Sequence, residues 1–519
     1  MDNKVLLIIL DGWGLSSEKK GNAPFLAKTP TLDYIYSNYP KTSLTASGLE
    51  VGLNPSEPGN SEVGHMNIGS GRVVWENLPR VDQSIQSGQF AENEVLKKAF
   101  SDVKKNNSTL HLIGIVSDGG VHGHIRHLLY LLDLAAKEKI NNVAVHFITD
   151  GRDTPPEKAG QFLIELEDKM KSLGVGRVAT VVGRYFAMDR DKNWDRTKKA
   201  FELFTKNAGA RFVTAKEALD ANYKNGKSDE FIEPAVIGEG APIEAKDNVI
   251  LFNYRSDRMI QLMHLFSGEE KSGLPSGVDV ISLVEYEKNQ RIPAMFPPIN
   301  LEKTLSDLIS QKGLTQLHTA ETEKYAHVTY FFKAGEDKIL SGETDKLIPS
   351  KKVMYDKSPA MSAPEVAEVV KKSLGNGADF IVVNFANGDM VGHTGVLKAA
   401  VLACEAIDKC LGEILPLASQ NGYRVFITAD HGNCEKMIDE ATGQPDKEHT
   451  SNPVPFVFID SLKHHYNFVP SAFKNENYLA YASGTPIGVL ADVAPSILAN
   501  LEIKKPEEMG GMDLTAAMQ

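Results

Sequence analysis

The sequence is poor in cysteine and has no long hydrophobic run. Its 519 residues include only three cysteines, Cys404, Cys410 and Cys434, and none of them forms a C-x-x-C pair. This excludes a disulfide framework and a structural zinc site, and it favours a reducing cytoplasm. No stretch approaches the roughly 18 apolar residues that a membrane helix needs. The apolar run at residues 5–10 is too short for a signal peptide and lacks a cleavage site. We therefore predict a cytoplasmic protein with no membrane partner.

The chain also lacks an excess of basic charge, internal repeats and low-complexity segments. Its 56 Lys and Arg residues and 68 Asp and Glu residues give a formal net charge of -12. This balance argues against a general nucleic-acid-binding surface, so we predict no nucleic-acid partner. The length predicts two or three domains at about 150 residues each.

Three β-rich apolar runs each lead into an aspartate. Residues 5–10, 380–385 and 425–428 have the composition of buried strands, and they are followed by Asp11, Asp389 and Asp430. Ligands of open α/β sheets bind at the carboxyl ends of the strands. A lone aspartate at a strand end is more often a helix N-cap. Its recurrence at three equivalent positions favours a shared metal site.

Histidines accompany these aspartates. His393 lies four residues after Asp389, His431 follows Asp430, and His449 lies in a nearby polar segment. Three aspartates and three histidines are enough to hold two divalent cations, and mixed oxygen and nitrogen ligands suit manganese or zinc better than calcium. Two such cations stabilise the attacking and leaving oxygens of a phosphoryl displacement. The sequence therefore predicts hydrolysis or transfer of a phosphate ester.

A candidate nucleophile lies in a segment dense in Gly, Pro and Asn. Residues 47–65 are predicted to form a long loop, and long ordered loops in compact domains are usually functional. Ser61 lies near the end of this segment. It is a candidate nucleophile or metal ligand, with a helix N-cap as the alternative.

From about residue 75 the pattern changes to a separate alternation of strands and helices. Strands predicted near residues 109–116, 142–149, 177–182 and 248–254 all lead into Arg, His or Asp. Five arginines would thereby meet at one sheet edge: Arg152, Arg184, Arg190, Arg255 and Arg258. Guanidinium groups suit phosphate and carboxylate, which predicts an anion site. The alternative is that each arginine pairs with an acid such as Asp153, Asp189 or Asp257.

The strands that end in aspartate lie on both sides of this second region. Residues 291–298 contain three prolines and are predicted to be a stiff linker. We therefore predict an α/β fold in which residues 76–298 are inserted into one discontinuous α/β domain, formed by residues 1–75 and 299–519.

Seven motifs in order connect these observations to a family. They are Asp11-Gly-Trp-Gly, Gly59-Asn-Ser-Glu-Val-Gly-His, Ser117-Asp-Gly-Gly-Val-His, Asp150-Gly-Arg-Asp-Thr-Pro-Pro, Glu321-Thr-Glu-Lys-Tyr, Asn387-Gly-Asp-Met-Val-Gly-His and Thr428-Ala-Asp-His-Gly-Asn. Together they resemble the cofactor-independent (2,3-bisphosphoglycerate-independent) phosphoglycerate mutases of the alkaline phosphatase superfamily, over nearly the whole chain. The resemblance implies an isomerase that interconverts 3-phosphoglycerate and 2-phosphoglycerate in glycolysis and gluconeogenesis, through a phosphoserine. It also implies two Mn²⁺ ions, with other divalent cations as alternatives, a small-molecule substrate and a monomer.

The resemblance also assigns residues to roles. One manganese would be held by Asp389, His393 and His449, and the other by Asp11, Ser61, Asp430 and His431, with Ser61 as nucleophile. The metals would lie in an alkaline-phosphatase-like domain, and the insertion would be a substrate-binding transferase domain. The implied substrate-binding residues of the insertion are His122, Arg152, Asp153, Arg184, Arg190, Arg255 and Arg258. Lys324 would neutralise phosphate near the metals, and Asp153 would exchange protons with the substrate hydroxyls.

Two other functions compete with this interpretation. A metal-dependent phosphomonoesterase or phosphodiesterase would use the same serine and metals, but it would not need five arginines in an inserted domain. A non-catalytic metal- or anion-binding protein would bind without turnover, and it would not need a nucleophile at Ser61.

Overall fold

The computed structural model describes residues 3–299, 301–461 and 475–518. Strands within these ranges are numbered in chain order: β1 (Lys4–Leu10), β2 (Lys41–Thr45), β3 (Leu110–Ile115), β4 (Val143–Thr149), β5 (Arg177–Gly183), β6 (Ala210–Phe212), β7 (Ala235–Ile237), β8 (Asn248–Leu251), β9 (Asp279–Val284), β10 (Ala294–Phe296), β11 (Gln316–Glu321), β12 (Glu343–Ile348), β13 (Phe380–Phe385), β14 (Tyr423–Thr428), β15 (Val454–Asp460) and β16 (Gly488–Val489).

The α-helices are numbered in the same way: α1 (Ala23–Leu26), α2 (Pro30–Asn38), α3 (Ser61–Ser70), α4 (Asn77–Gln86), α5 (Glu94–Asn106), α6 (Ile125–Lys137), α7 (Ala159–Leu173), α8 (Arg184–Ala187), α9 (Trp194–Lys206), α10 (Ala215–Lys224), α11 (Ile260–Ser267), α12 (Leu305–Gln311), α13 (Thr322–Ala326), α14 (Ala363–Asn376), α15 (Asn387–Gly392), α16 (Leu397–Gln420), α17 (Asn475–Ala482) and α18 (Val493–Asn500). No helix in the described ranges is long and apolar enough to cross a membrane.

The chain divides into two compact units, each with its own hydrophobic core. The discontinuous unit consists of Met1–Glu76 and Asn300–Gln519, and the inserted unit is Asn77–Ile299. Each unit contains one eight-stranded sheet.

The sheet of the discontinuous unit has the order β12-β11-β13-β1-β14-β15-β2-β16. Its first five strands are parallel, and β15 is antiparallel to both of its neighbours. The strands β13, β1 and β14 are almost entirely buried because helices cover a parallel sheet on both faces, which explains their continuous apolar sequences. Strand β1 lies between β13 and β14, so the three predicted aspartate-bearing strands are neighbours, and their carboxyl ends open at one edge.

The sheet of the inserted unit has the order β10-β9-β8-β3-β4-β5-β7-β6. All neighbours pair in parallel except β5 and β7. The four strands predicted to precede the Arg, His and Asp residues are adjacent, in the order β8-β3-β4-β5. Of these four predictions, the strand expected at residues 248–254 is the shortest in the structure, since β8 ends at Leu251.

Two local predictions are wrong. The predicted linker at residues 291–298 contains β10, which pairs in parallel with β9 at the edge of the inserted sheet. An edge strand tolerates flanking prolines because one side of its backbone needs no ladder hydrogen bonds. The predicted loop at residues 47–65 contains a 3-10 turn at Gly48–Val51, and α3 begins at Ser61. The N-cap of α3 is Asn60, whose side chain accepts a hydrogen bond from Val63 N, so Ser61 is not the cap.

Candidate metal centre and anion site

The predicted metal ligands meet at the carboxyl edge of the discontinuous sheet. Asp11 follows β1 directly, Asp430 and His431 follow β14, and Asp389 lies in α15 after β13. A Cβ atom on Gly12 would lie 2.6 Å from the backbone of Asp389, so only a glycine allows the end of β1 to approach that residue so closely. The strand order therefore brings together ligands that are far apart in the sequence.

A first group of ligands surrounds Asp389. Its Oδ1 atom lies 3.1 Å from the Nε2 atoms of both His393 and His449, and these two nitrogens are 3.1 Å apart. The Nδ1 atoms lie against backbone carbonyls, at 2.7 Å from Lys447 O and 2.8 Å from Gly59 O. A carbonyl oxygen accepts a hydrogen bond from Nδ1–H, which leaves the Nε2 lone pairs directed at each other. A cation between them fits this arrangement.

A second group surrounds Ser61. Its Oγ atom lies 2.9 Å from His431 Nε2 and 3.5 Å from Asp11 Oδ1. His431 Nε2 is also 3.7 Å from Asp11 Oδ1 and 3.5 Å from Asp430 Oδ2. All four residues are buried. Buried carboxylates are costly unless cations or hydrogen bonds balance them, so this group too has the chemistry of a cation site.

Helix α3 presents Ser61 to this group from its first turn. A Cβ atom on Gly64 would lie 2.7 Å from Asp430 O, so a glycine at this position allows α3 to approach the end of β14 closely. The first N–H groups of a helix have no partner within the helix and favour negative charge. A phosphate on Ser61 would lie at this helix terminus.

Lys324 connects the two groups. Its Nζ atom lies 2.6 Å from Ser61 Oγ, 2.7 Å from Asp11 Oδ1 and 2.7 Å from Asp389 Oδ2. Burial opposes the ammonium charge, but Asp11, Asp389 and Asp430 outweigh it and raise the pKa of Lys324 above its usual value. Lys324 therefore contributes a positive charge to this group of carboxylates.

The carboxylates of the centre carry more negative charge than Lys324 alone balances. Burial and the neighbouring Asp430 raise the pKa of Asp11 to about 7. Burial also disfavours ionisation of Asp389, but the neighbouring Lys324 ammonium holds its pKa well below the usual range. Divalent cations would relieve the repulsion that raises the pKa of Asp11. The donor atoms present therefore fit a metal centre.

Sequence reasoning missed two buried residues behind these ligands. Asn384 Nδ2 donates to Asp11 Oδ2 at 2.7 Å and lies 3.0 Å from His65 Nε2. His65 Nδ1 lies 2.8 Å from Ser61 O and 3.3 Å from Asp430 Oδ2. Asn384 is the polar residue within the apolar run 380–385, and that interruption was the available signal.

The predicted anion-binding residues lie at the carboxyl edge of the inserted sheet. Four of the five arginines have acidic partners, so the alternative of local ion pairs applies to them. Arg184 contacts Asp150 at 2.7 Å and Asp153 at 2.5 Å. The remaining pairs are Arg190 with Asp257 at 2.9 Å, Arg255 with Asp257 at 3.1 Å and Arg152 with Glu230 at 3.5 Å. Asp189, suggested as a partner, instead contacts Arg196.

The ion pairs do not balance the whole cluster. Asp257 contacts two arginines, and Arg258 Nη1 donates to the backbone oxygen of Met188 at 3.1 Å. Burial and the charges of Arg184, Arg190 and Arg152 lower the pKa of Arg258. Positive charge that lacks a full set of partners fits a small anion.

His122 and Asp153 belong to the same cluster. His122 Nδ1 is 3.5 Å from Asp257 Oδ1 and His122 Nε2 is 3.9 Å from Asp153 Oδ2. Within the described residues, the buried His122 Nδ1 makes no hydrogen bond, although it faces Asp257. Burial and Arg184 lower the pKa of His122 to about 4, so it is neutral at pH 7. A buried ring nitrogen without a hydrogen bond fits a site that contacts a ligand.

A buried serine among carboxylate and imidazole ligands is typical of metal-dependent phosphoryl-transfer enzymes. Comparison with known proteins gives the particular family. Residues 81–288 match the family model described as the BPG-independent PGAM N-terminus. The chain is 45% identical to a 2,3-bisphosphoglycerate-independent phosphoglycerate mutase of Clostridium acetobutylicum, over 98% of this chain and 99% of the relative. It is 44% identical to the protein of the same name from Symbiobacterium thermophilum, over 97% of this chain and 96% of the relative.

A solved structure of phosphoglycerate mutase from Leishmania mexicana, determined at low cobalt concentration, is also similar. The two sequences are 29% identical, and the match covers 99% of this chain and 98% of the Leishmania mexicana chain. The superposition has a TM-score of 0.56. The chain belongs to the family of 2,3-bisphosphoglycerate-independent phosphoglycerate mutases. The predicted family is confirmed, together with the prediction of an enzyme and of an α/β fold with an inserted second α/β unit.

Proposed function

We propose that the protein interconverts 3-phosphoglycerate and 2-phosphoglycerate in glycolysis and gluconeogenesis, through a phosphoserine at Ser61. The observation that carries this proposal is the position of Ser61 Oγ, which lies 2.6 Å from Lys324 Nζ and 2.9 Å from His431 Nε2 beside buried carboxylates. The names of the relatives support the same activity.

The centre would hold two divalent cations, which we propose to be Mn²⁺. Asp389, His393 and His449 would bind one, and their donor atoms lie within 4.8 Å of one another. The other would be bound by Asp11, Ser61, Asp430 and His431. When bound, the cations polarise the phosphate oxygens and favour the ionised serine. Other divalent cations remain alternatives, and the similar structure from Leishmania mexicana was determined with cobalt.

The residues of the chain divide the reaction into two half-transfers. Ser61 attacks the phosphorus of the substrate, and the resulting phosphoserine later returns the phosphoryl group to the other hydroxyl of glycerate. Lys324 donates a hydrogen bond to Oγ and balances the charge that develops on the transferred group. The N-terminus of α3 favours the same charge.

Glycerate must be retained between the two transfers, and we assign this role to the inserted unit. Arg152, Arg184, Arg190, Arg255 and Arg258, with His122, would bind its carboxylate and the incoming phosphate. Asp153, which contacts Arg184, would exchange protons with the substrate hydroxyls. Residues 1–75 and 299–519 would thus form the metal-binding domain and residues 76–298 the substrate-binding transferase domain.

The test is to incubate the protein with Mn²⁺ and 3-phosphoglycerate and to follow both products. Formation of 2-phosphoglycerate without stoichiometric release of phosphate supports the proposal. Release of phosphate without 2-phosphoglycerate would identify a phosphomonoesterase and overturn it. Replacing Mn²⁺ by Co²⁺, Zn²⁺ or Mg²⁺ in the same assay identifies the preferred cation.

We further propose that the enzyme is a cytoplasmic monomer acting on a small molecule. The three cysteines are free and buried, which fits a reducing compartment. Light scattering across a range of protein concentrations tests the monomer, and cell fractionation tests the location.

A further inference from the structure

A buried chain of hydrogen bonds lies behind the metal centre and involves two residues to which no role has been assigned above. His65 lies on α3, one helical turn after Ser61, and Asn384 lies on β13. Both side chains are fully buried. They connect Asp11, Asp430 and the backbone of Ser61, which come from three different elements of the unit.

The carboxylate of Asp11 fixes the orientation of this chain. Its Oδ2 atom accepts a hydrogen bond from Asn384 at 2.7 Å, so the nitrogen of the amide, and not its oxygen, must face Asp11. The second hydrogen of the same amide nitrogen points to His65 Nε2 at 3.0 Å. His65 Nε2 must then be an acceptor, and the ring hydrogen is on Nδ1.

The hydrogen on His65 Nδ1 faces two acceptors. They are Ser61 O at 2.8 Å and Asp430 Oδ2 at 3.3 Å. The hydrogen bond goes to Ser61 O in the first turn of α3, and the carboxylate of Asp430 at the end of β14 faces the same N–H from a longer distance, without hydrogen-bond geometry. His65 lies close enough to Asp11 and Asp430 to be considered a ligand itself. However, both of its nitrogens are already engaged, so it has no lone pair left for a cation.

We propose that His65 and Asn384 are positioning residues, which hold Asp11, Asp430 and Ser61 in the arrangement that binds the second divalent cation and presents the serine hydroxyl. This inference rests on the proposed function, since it concerns the same cation and nucleophile. Neither residue touches the substrate. They act through the orientation of the groups that do.

Three variants test the chain of hydrogen bonds. Asn384→Leu has nearly the same volume and removes both donors, His65→Phe removes both ring nitrogens, and His65→Asn keeps a donor close to the position of Nδ1. Binding of Mn²⁺ to the metal-free protein is measured by calorimetry, together with kcat and KM. Loss of a partner behind a metal ligand weakens metal binding by roughly 10- to 100-fold. We expect this loss at one of two cation sites for Asn384→Leu and His65→Phe, and a smaller loss for His65→Asn.

Kinetic measurements separate a loss of Ser61 orientation from a loss of bound Mn²⁺. Saturating Mn²⁺ refills the site, but it does not restore the orientation of Ser61, so kcat stays low in His65→Phe at saturating metal while KM changes little. A merely structural role would lower thermal stability and leave both the Mn²⁺ dissociation constant and kcat at saturation unchanged.

His318→Asn is the matched control. His318 is a buried histidine of the same unit, with Nδ1 at 2.6 Å from Val328 O and Nε2 at 3.0 Å from Gln316 Oε1. Neither of these hydrogen bonds reaches a proposed ligand. We expect this variant to lose stability and to bind Mn²⁺ as tightly as the wild type.

Two results would overturn the inference. An unchanged Mn²⁺ affinity in folded Asn384→Leu would show that the amide does not position Asp11. Weak binding in the His65 variants alone would make His65 a ligand. If the His65 variants do not fold, the Mn²⁺ affinity of Asn384→Leu alone tests the inference. Failure of the wild type to form 2-phosphoglycerate would reject the proposed function, yet the Mn²⁺ titrations would still test the positioning role.

Discussion

The ammonium nitrogen of Lys324 lies 2.6 Å from the hydroxyl oxygen of Ser61, although the two residues are 263 positions apart in the sequence. Lys324 follows β11 and Ser61 begins α3, so the contact exists only in the folded unit. The surrounding aspartates outweigh burial and raise the pKa of Lys324, so its ammonium donates a hydrogen bond to the hydroxyl oxygen of Ser61. The contribution that we propose for Lys324 is electrostatic: its charge would favour an ionised serine and a transferred phosphoryl group.

Lys324→Met should lower kcat strongly, because the long apolar side chain fills the same space without the charge. Loss of one preorganised donor to a developing charge costs about 100- to 1,000-fold in kcat. The measurement is formation of 2-phosphoglycerate at saturating substrate and Mn²⁺. Lys333→Met is the control, since Lys333 is also buried and paired with Glu343. It should lose stability and keep its turnover, and near-normal turnover in Lys324→Met would contradict the electrostatic role.

Ser61→Ala should abolish mutase turnover and leave the fold intact, because no other nucleophile can carry the phosphoryl group. Intact folding is checked by the thermal unfolding midpoint, and turnover by the appearance of 2-phosphoglycerate. Ser70→Ala, on the same helix, removes a buried hydroxyl that donates to Arg72 O and should remain active. Near-normal isomerisation by Ser61→Ala would show that the phosphoserine mechanism is wrong.

Arg258→Ala should weaken retention of glycerate while the metal ligands stay in place, because none of them lies in the inserted unit. Loss of one charged bidentate contact costs about 2 to 4 kcal/mol, or roughly 30- to 1,000-fold in kcat/KM. Phosphoserine that has lost its glycerate should hydrolyse, so the ratio of released phosphate to 2-phosphoglycerate should rise.

Arg177→Ala is the control for this experiment. Arg177 is the first residue of β5, at the opposite end of the strand from Arg184, and it donates to Gly240 O. It should leave the product ratio unchanged. An unchanged ratio and an unchanged kcat/KM in Arg258→Ala would mean that the arginine cluster does not hold the substrate.

Activity should fall steeply below neutral pH, because three histidines must be neutral to bind the cations. Protons and Mn²⁺ compete for the same nitrogens, so excess Mn²⁺ should move the acid limb of the pH profile to lower pH. The profile is measured at several Mn²⁺ concentrations. An acid limb that is indifferent to Mn²⁺ would indicate that another group is responsible.

The free energy of unfolding should fall as the pH rises towards 7 because of Asp345, which is not one of the proposed metal ligands. Burial and the neighbouring Glu343 raise its pKa from 3.8 to about 7. The folded protein therefore binds one more proton than the unfolded chain between these values, and the stability present below pH 4 is lost as pH rises through 7.

Asp345→Asn removes this titration. It should flatten the decline of the unfolding free energy between pH 5 and 8, and stabilise the discontinuous unit at pH 8 by on the order of 1 to 3 kcal/mol. Denaturant unfolding at both pH values is the measurement. The exposed Asp337→Asn is the control and should follow the wild type. An equal decline in Asp345→Asn would assign the effect to another group.

The sequence by itself determined that three apolar runs are strands of one unit, and which polar residues follow them. Buried parallel strands require continuous apolar runs, so residues 5–10, 380–385 and 425–428 were recognisable, and β13 has the predicted bounds. The paired aspartates and histidines were equally recognisable, because ligand chemistry restricts the residue types that can serve. The same reasoning found the arginines that follow the strands of the inserted unit.

Only the tertiary structure decided which of these residues meet. The order β11-β13-β1-β14 brings Lys324, Asp389, Asp11 and Asp430 to one edge, and that order depends on long-range pairing that no local pattern encodes. Local sequence patterns also failed at the start of α3 and at β10. Asn60 is the N-cap of α3, so the side chain of Ser61 lies in the candidate metal centre instead. The proline-flanked β10 forms an edge strand because it pairs with β9. The contacts of His65 and Asn384 were hidden for the same reason, since each depends on a partner that the fold alone brings within hydrogen-bonding distance.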